Sequence, residues 1–506
     1  MKRRYIEIMD TTLRDGEQTS GVSFSASEKL ALAQLLLTEV KVDRVEVASA
    51  RVSAGELEAV QQITGWAAGV GLLEKIEVLT FVDGQASLDW MHASGAKVMN
   101  LLTKGSINHL THQLKKTPSE HFADIEQVIS KGQNHGLVAN VYLEDWSNGM
   151  RNSPDYVLQY LDFLKTQPIR RVLLPDTLGI LTPAETYDFV SRLVIRYPEL
   201  HFDFHAHNDY DLSIANVMEA IRAGAQGIHL TVNGLGERAG NAPMASAIAV
   251  LRDFMPEVKM GVVEKSLYQV SKIVETFSGL RIPDNKPVVG DNVFTQTAGI
   301  HADGDKKNNL YFNALLPERF GRKRSYALGK TSGKANIENN LRELGIQLSE
   351  NDLKMVTQRV IELGDQKEVV TREDLPYVIS DVLNTTAIAS RVEILNYVLT
   401  HSKDLKPSAT LRVRIDDDQF EENAQGDGQY DAFMNALKKI YGKKKRTLPI
   451  LTDYAVRIPT GGRTDALCET IITWKYKNRE FKTRGLDSDQ AVSAIKATQK
   501  MLNTLD

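Results

Sequence analysis

His205 and His207 stand one residue apart at the end of a strand-like run beginning at Phe202, and their spacing suits chemistry. Alternate residues of a strand face the same side, so an i, i+2 pair of imidazoles can close on one metal ion. Asp15 has a comparable setting far upstream, after the strand-like Tyr5–Met9 and inside Asp10-Thr-Thr-Leu-Arg-Asp-Gly-Glu-Gln18. Two imidazoles and one carboxylate suit a divalent cation that keeps positions open for an oxygen ligand. That is the equipment of a Lewis-acid enzyme. Arg14 adjoins Asp15 and is expected to point at the same bound oxygens, where a fixed guanidinium stabilises developing charge. An ion pair closing the rim is the alternative.

These residues need a scaffold that brings distant strand ends together. Eight strand-like runs alternate with helical patterns up to about residue 280: Tyr5–Met9, Arg44–Val47, Ile76–Phe81, Val98–Leu102, Ala139–Leu143, Arg171–Leu174, Phe202–His205 and Ile228–Val232. The first helix is announced by Ser25-x-x-Glu28, a capping box ahead of Leu30, Ala33 and Leu37. Eight βα units predict an α/β fold of the (β/α)8 TIM-barrel kind, with its chemistry at the C-terminal strand ends. Arg14, Asp15, Glu144, Thr177, His205, His207 and Asn241 all fall at or just past such ends.

The expected organisation is a barrel over residues 1–282, linker and helical subdomains over 283–390, and a C-terminal α/β domain over 391–506. Residues 283–321 read as an irregular lid or linker. Helical patterns follow at 335–344, 350–363 and 372–383. The last part reads as a ββα-like unit with no short-period repeat.

Composition narrows the class. Across 506 residues, 61 basic and 65 acidic side chains leave a formal charge of −4, which makes no bulk electrostatic case for nucleic acid or membrane. Cys468 is the single cysteine, which rules out an internal disulfide and fits a reducing compartment. No stretch reads as membrane-spanning and the N-terminus lacks a signal peptide's apolar centre, so a cytoplasmic protein is expected. Gly329-Lys-Thr-Ser-Gly333-Lys334 has the wrong spacing for a phosphate loop. The basic run 319–324 could meet phosphates, though exposed basic runs are usually solvated.

Thr12-Leu-Arg-Asp-Gly-Glu-Gln18, His205-x-His207-Asn-Asp209 and Gly234-Leu-Gly-Glu-Arg-Ala-Gly-Asn241 together resemble the DRE-TIM metallolyase superfamily. Thr295-Gln-Thr-Ala-Gly-Ile-His301 and Gly426-x-Gly-x-x-Asp-Ala432 are similar to the linker and regulatory domain of its acyl-CoA condensing branch, the isopropylmalate, citramalate and homocitrate synthases. Asn100-Leu-Leu-Thr-Lys-Gly-Ser106 and Val141-Tyr-Leu-Glu-Asp-Trp-Ser147 look most like bacterial citramalate synthases.

The resemblance implies a Claisen condensation with acetyl-CoA as co-substrate and a divalent cation, manganese, magnesium or zinc, held by Asp15, His205 and His207 with Asn241 as a further contact. It implies that Thr177 hydrogen-bonds the keto-acid carboxylate, although a threonine N-capping the next helix looks identical in sequence. Glu144 and His301 are expected to share the methyl deprotonation, with Asp303 and Tyr311 as further participants; linker packing is the alternative for Tyr311. Leu79, Leu102 and Tyr142 are expected to wall the substrate pocket, and their bulk favours pyruvate over 2-oxoisovalerate. The C-terminal domain is expected to sense an amino acid through Tyr430, Asp431, Leu451, Tyr454 and Ile458. Isoleucine is the expected effector of a homodimeric citramalate synthase, leucine that of an isopropylmalate synthase. The rival readings are a metal-dependent carbon–carbon lyase on the same barrel and a non-catalytic amino-acid sensor.

Overall fold

The computed structural model describes residues 3–306, 310–365, 370–383, 392–457, 468–477 and 479–504. Eight parallel strands close a barrel in chain order: β1 Glu7–Asp10, β2 Arg44–Ser49, β3 Ile76–Phe81, β4 Val98–Lys104, β5 Val138–Glu144, β6 Ile169–Asp176, β7 Phe202–Ala206 and β8 Gly227–Leu230. Their outward residues, such as Val45, Val78, Leu101, Val141 and Phe204, are fully buried against the surrounding helices. Helix Ala26–Leu35 begins with the expected capping box, Ser25 accepting from the Glu28 N–H and Glu28 accepting in return. No helix among the described residues is long and apolar enough to cross a membrane.

Four strand boundaries in particular correct the sequence reading. Arg4 and Tyr5 pair with Val258 and Lys259, so β1 starts only at Glu7. Strands β4 and β5 run two and one residues beyond expectation and set Lys104 directly opposite Glu144. Strand β8 stops at Leu230, because Val232–Gly234 coils into a tight turn whose Val232 N–H donates to Thr12 Oγ1 at 2.8 Å.

Inside the barrel, alternation puts residues of one parity on the axis. Near the N-terminal strand ends, Arg44 is enclosed by Glu77 at 3.2 Å and Asp203 at 2.6 Å, and Asn100 and Asn140 join Glu77 and Glu46 by side-chain hydrogen bonds. Towards the other end, Met9, Leu79, Tyr142 and Leu173 form an apolar cluster with Leu102 packed against it.

The chain divides into two compact units, one of residues up to 294 with 312–324, the other of 295–311 with 325 onwards. In the second, the expected irregular linker contains a helix, Gly299–Lys306. Helices Lys334–Leu344, Glu350–Asp365 and Leu375–Leu383 share a small core with Ile337, Val356, Val360 and Leu375 fully buried. The C-terminal part is not a single ββα unit. Strands β9 Val392–Ser402, β10 Leu405–Ile415 and β11 Asp418–Gln425 precede helix Gln429–Lys443, and β12 Ile450–Arg457, β13 Cys468–Tyr476 and β14 Arg479–Asp487 precede helix Gln490–Leu502. The same strand–strand–strand–helix order therefore occurs twice. Charged edge strands, Asp-Gln-Phe-Glu-Glu in β11 and Arg479-Glu-Phe-Lys in β14, mask the alternation that would have revealed it.

Candidate active site

The loop after β1 coils tightly: the N–H groups of Arg14, Asp15 and Gly16 all approach the Thr11 carbonyl at 2.9–3.1 Å. The fully buried Lys29 ammonium pins this loop from below, donating to the Leu13 carbonyl at 3.1 Å and pairing with Glu17 and Glu56 at 2.6 Å. Asp15 is thereby presented to β7. Its Oδ2 lies 3.3 Å from His205 Nε2 and 3.9 Å from His207 Nε2, and its Oδ1 accepts from Asn241 Nδ2 at 2.9 Å. His207 and Asn241 are bridged through their backbones, so the Gly-rich turn 234–241 and the end of β7 come as one piece.

One potential ligand atom from each of Asp15, His205 and His207 lies within 4.8 Å of the others. His205 Nδ1, His207 Nδ1 and Asn241 Oδ1 are buried with no hydrogen-bond partner. A buried polar atom without a partner costs about 1–3 kcal/mol, and the clustered ligand atoms of Asp15, His205 and His207 make a seat for something electrophilic. Burial alone would raise the Asp15 carboxyl, but Arg14 and then the two histidines outweigh it and hold it well below the usual carboxylate range. Burial also pushes His207 down to about 4, against the pull of Asp15. An anionic carboxylate and a neutral imidazole are the forms that bind a metal.

Arg14 is held on three sides: Nε donates to Glu46 at 2.5 Å, Nη1 to Asp15 at 2.8 Å, and Nη2 approaches the Tyr142 hydroxyl at 3.4 Å. Both sequence readings of Arg14 are thus compatible, because the rim ion pairs fix the guanidinium beside the Asp15–histidine cluster. Leu79 and Tyr142 meet in the apolar cluster inside the barrel with Leu102 against it, and that cluster adds Met9 and Leu173, which the sequence reading missed.

Glu144 faces Lys104, which the sequence reading also missed; the two side chains form an ion pair across β4 and β5. They line a cavity of about 320 Å³ shared with Phe81, Leu102, Lys116 and His121. Thr177 does not cap a helix. Thr182 caps helix Pro183–Arg196, while Thr177 Oγ1 accepts from the Asp145 N–H at 2.9 Å. The basic run is engaged in structure: Arg319 pairs with Asp253 and Glu264, and Arg322 donates to the carbonyls of Val288, Gly290 and Asp291.

His301, Asp303 and Tyr311 belong to the second unit. His301 and Asp303 lie on helix Gly299–Lys306, and the His301 and Tyr311 rings pack at 4.3 Å. In the same unit, Tyr430, Asp431 and Leu451 line a cavity of about 620 Å³. Tyr454 packs its ring on Tyr430 at 5.5 Å, and Ile458 lies outside the described residues.

A carboxylate, two imidazoles, an amide and a clamped guanidinium thus stand at the C-terminal rim of a parallel barrel, the end at which such barrels carry their chemistry. Comparison with known proteins sharpens the class. The HMGL-like family model matches residues 5–274, a homocitrate synthase post-HMGL domain model matches 288–368, and a LeuA allosteric (dimerisation) domain model matches 369–505. The chain belongs to the HMGL-like family. It is 31% identical over 503 residues to a putative (R)-citramalate synthase of Archaeoglobus fulgidus, covering 99% of each. It is 32% identical over 507 residues to a probable 2-isopropylmalate synthase of Methanopyrus kandleri, covering 99% of this chain and 98% of that protein. It is 33% identical over 512 residues to a 2-isopropylmalate synthase of Methylorubrum populi, at 99% and 95% coverage. The chain is an enzyme, an acyltransferase of the kind that converts the acyl group to alkyl on transfer.

Proposed function

We propose that this enzyme condenses the acetyl group of acetyl-CoA with pyruvate, giving (R)-citramalate and coenzyme A, the entry reaction of an isoleucine route that does not use threonine. The observation that carries the choice of pyruvate is the apolar cluster of Met9, Leu79, Tyr142 and Leu173, with Leu102 against it, beside Arg14. Filled with these side chains, the wall is apolar and bulky, which favours a small methyl substituent on the keto acid. 2-Oxoisovalerate is the second reading, favoured by the names of two of the relatives above.

The donor set fits a divalent metal: one anionic carboxylate, two imidazoles and an amide whose oxygen is buried without a partner. In this reading Asp15, His205 and His207 hold it with Asn241 alongside, and when bound it supplies Lewis acidity toward the keto group. The residues do the rest. The Arg14 guanidinium, unable to swing because Glu46 and Asp15 hold it, orients the keto acid and stabilises negative charge growing on the keto oxygen. Thr177 adds a hydroxyl for the keto-acid carboxylate. Glu144, paired with Lys104, takes part in removing a proton from the acetyl methyl group, with His301, Asp303 and Tyr311 sharing the proton transfer. The resulting carbanion attacks the keto carbon, the carbon–carbon bond forms, and the keto oxygen becomes a hydroxyl by taking up a proton. Water then cleaves the thioester, releasing a carboxylate and the thiol of coenzyme A.

The duplicated C-terminal domain is the sensor in this proposal. Isoleucine occupies the cavity lined by Tyr430, Asp431 and Leu451, at a homodimer, and inhibits by binding one conformational state better than the other. The deciding experiment follows thiol release from acetyl-CoA with manganese or magnesium and, separately, pyruvate, 2-oxobutanoate, 2-oxoisovalerate or 2-oxoglutarate. Fastest release with pyruvate, suppressed by isoleucine, is the expected result. Fastest release with 2-oxoisovalerate, suppressed by leucine, would replace this reading with the isopropylmalate synthase one.

A further inference from the structure

Beneath the rim, an unbroken side-chain chain leads from the barrel floor to Arg14. Asp203 Oδ2 meets Arg44 Nη2 at 2.6 Å and His229 Nε2 at 3.2 Å; His229 Nδ1 lies 3.0 Å from the Tyr142 hydroxyl; that hydroxyl lies 3.4 Å from Arg14 Nη2. Asp203 and His229 are sealed from solvent, with side chains 0% exposed. Paired with Arg44, Asp203 is a carboxylate and can only accept, so the imidazole nitrogen facing it carries the hydrogen. Arg14 Nη2, the other neighbour of the buried Tyr142 hydroxyl, can only donate, so His229 Nδ1 is the acceptor that satisfies the hydroxyl's one hydrogen. The Tyr142 hydroxyl therefore donates to His229, and a lone pair faces Arg14.

We propose that His229 is a positioning residue for the condensation: it consumes the one hydrogen of the Tyr142 hydroxyl, so that Tyr142 serves Arg14 as an acceptor and gives the substrate pocket an apolar wall. Two consequences follow. Arg14 gains a third point of attachment beside Glu46 and Asp15, on the face those two leave open. Tyr142, polar by composition, behaves as a hydrocarbon wall toward the keto acid. The proposal rests on the function proposed above, since it assigns Arg14 and Tyr142 to the keto-acid site.

Two substitutions separate the ring's two nitrogens. His229→Asn can keep an oxygen acceptor near the Nδ1 position and gives up the contact with Asp203. His229→Gln can keep a donor near the Nε2 position and gives up the acceptor for Tyr142. With the 2-oxo acid varied, His229→Gln should lower kcat/KM about tenfold while the KM for acetyl-CoA stays put, the size expected for one orienting hydrogen bond. His229→Asn should stay within about threefold of the parent, a residual loss below one hydrogen bond. Adding His229→Gln to Tyr142→Phe should change nothing further, because its route of action is already gone. Equal losses in the Asn and Gln variants, or losses that add in the double variant, would overturn the proposal and leave His229 a packing residue.

Should the variants fail to fold, nitrogen-15 NMR of the parent protein still decides. The expected signal is a neutral ring with hydrogen on Nε2 and none on Nδ1. Hydrogen on Nδ1 would reverse the direction of the Tyr142 bond and end the argument. If the parent releases no coenzyme A with any 2-oxo acid, the functional reading fails, and the tautomer still reports on the relay.

Discussion

At the floor of the barrel Arg44 is met by Glu77, Asp203 and Glu7 at 2.6–3.2 Å, whereas at the mouth Asp15, paired with Arg14, faces two imidazoles and an amide. Both regions bury charge, and by motif alone both look polar and equally remarkable or unremarkable. The difference lies in closure. On the floor, guanidinium groups answer the carboxylates around them. At the mouth, ligand atoms of a carboxylate and two imidazoles gather within 4.8 Å of one another. A buried ion pair is answered within the fold, while such a cluster of metal-ligating atoms is a site.

The sharpest way to break this comparison is to remove a group at the mouth. His205→Ala, or treatment with a chelator, should lower thiol release by about 1,000-fold, because Lewis acidity is worth several kcal/mol in the transition state. The thermal midpoint should move little, and manganese or magnesium should restore the chelated parent but not the variant. A variant that lost its fold along with its activity would put the mouth in the same class as the floor.

On the floor the expectation reverses. Asp203→Asn takes from Arg44 its nearest carboxylate, leaving Glu77 and Glu7, and should cost about 3 kcal/mol in a urea titration. A loss under about 1 kcal/mol would show that the floor does not depend on that pair and would erase the distinction.

Acid should reach the interior through its neutral histidines. Burial pushes His121 down to about 4 and His229 to about 3, both below the roughly 6.5 of a free imidazole. Where the folded value lies below the unfolded one, the unfolded chain binds the extra proton, so the contribution is present above pH 6.5 and is lost as the pH falls toward 4 and 3. His121 Nε2 accepts the Lys104 N–H at 3.2 Å, and protonation there breaks that bond at the strand end carrying the Lys104–Glu144 pair. His121→Gln should flatten stability against pH over that window, with an effect on the order of 3 kcal/mol at the acid end. An unchanged slope would remove His121 from the account.

The smallest effect concerns the wall. Leu102→Ala should improve 2-oxobutanoate over pyruvate by about tenfold, in line with ~1–3 kcal/mol for a methylene. Unchanged relative rates would take Leu102 out of the pocket.

Much of the mouth was legible before any coordinates. Asp15, His205, His207 and Asn241 sit at strand ends, and period-two alternation with eight βα units is enough to bring those ends to one rim. Lys29, Glu46, Lys104 and His229 were not legible, for a common reason. A lysine in a helix or a glutamate in a strand reads as a solvated face, and only closure shows that Lys29 is fully buried and that Glu46 points at Arg14. Thr177 illustrates the converse: the sequence allowed it to cap a helix, and a loop of five residues to the true cap, Thr182, decides otherwise.

By itself the sequence determined the periodicity, and through it the barrel, the rim and the kinds of atom the rim offers, because side-chain direction along a strand is a local property of the backbone. Tertiary structure decided the partners. Residue 14 meets 46 and 142, and 203 meets 44 and 229, only when the sheet closes on itself. Whether a buried charge is answered, and so whether it stabilises the fold or waits for a ligand, depends on those distances, which no local pattern encodes.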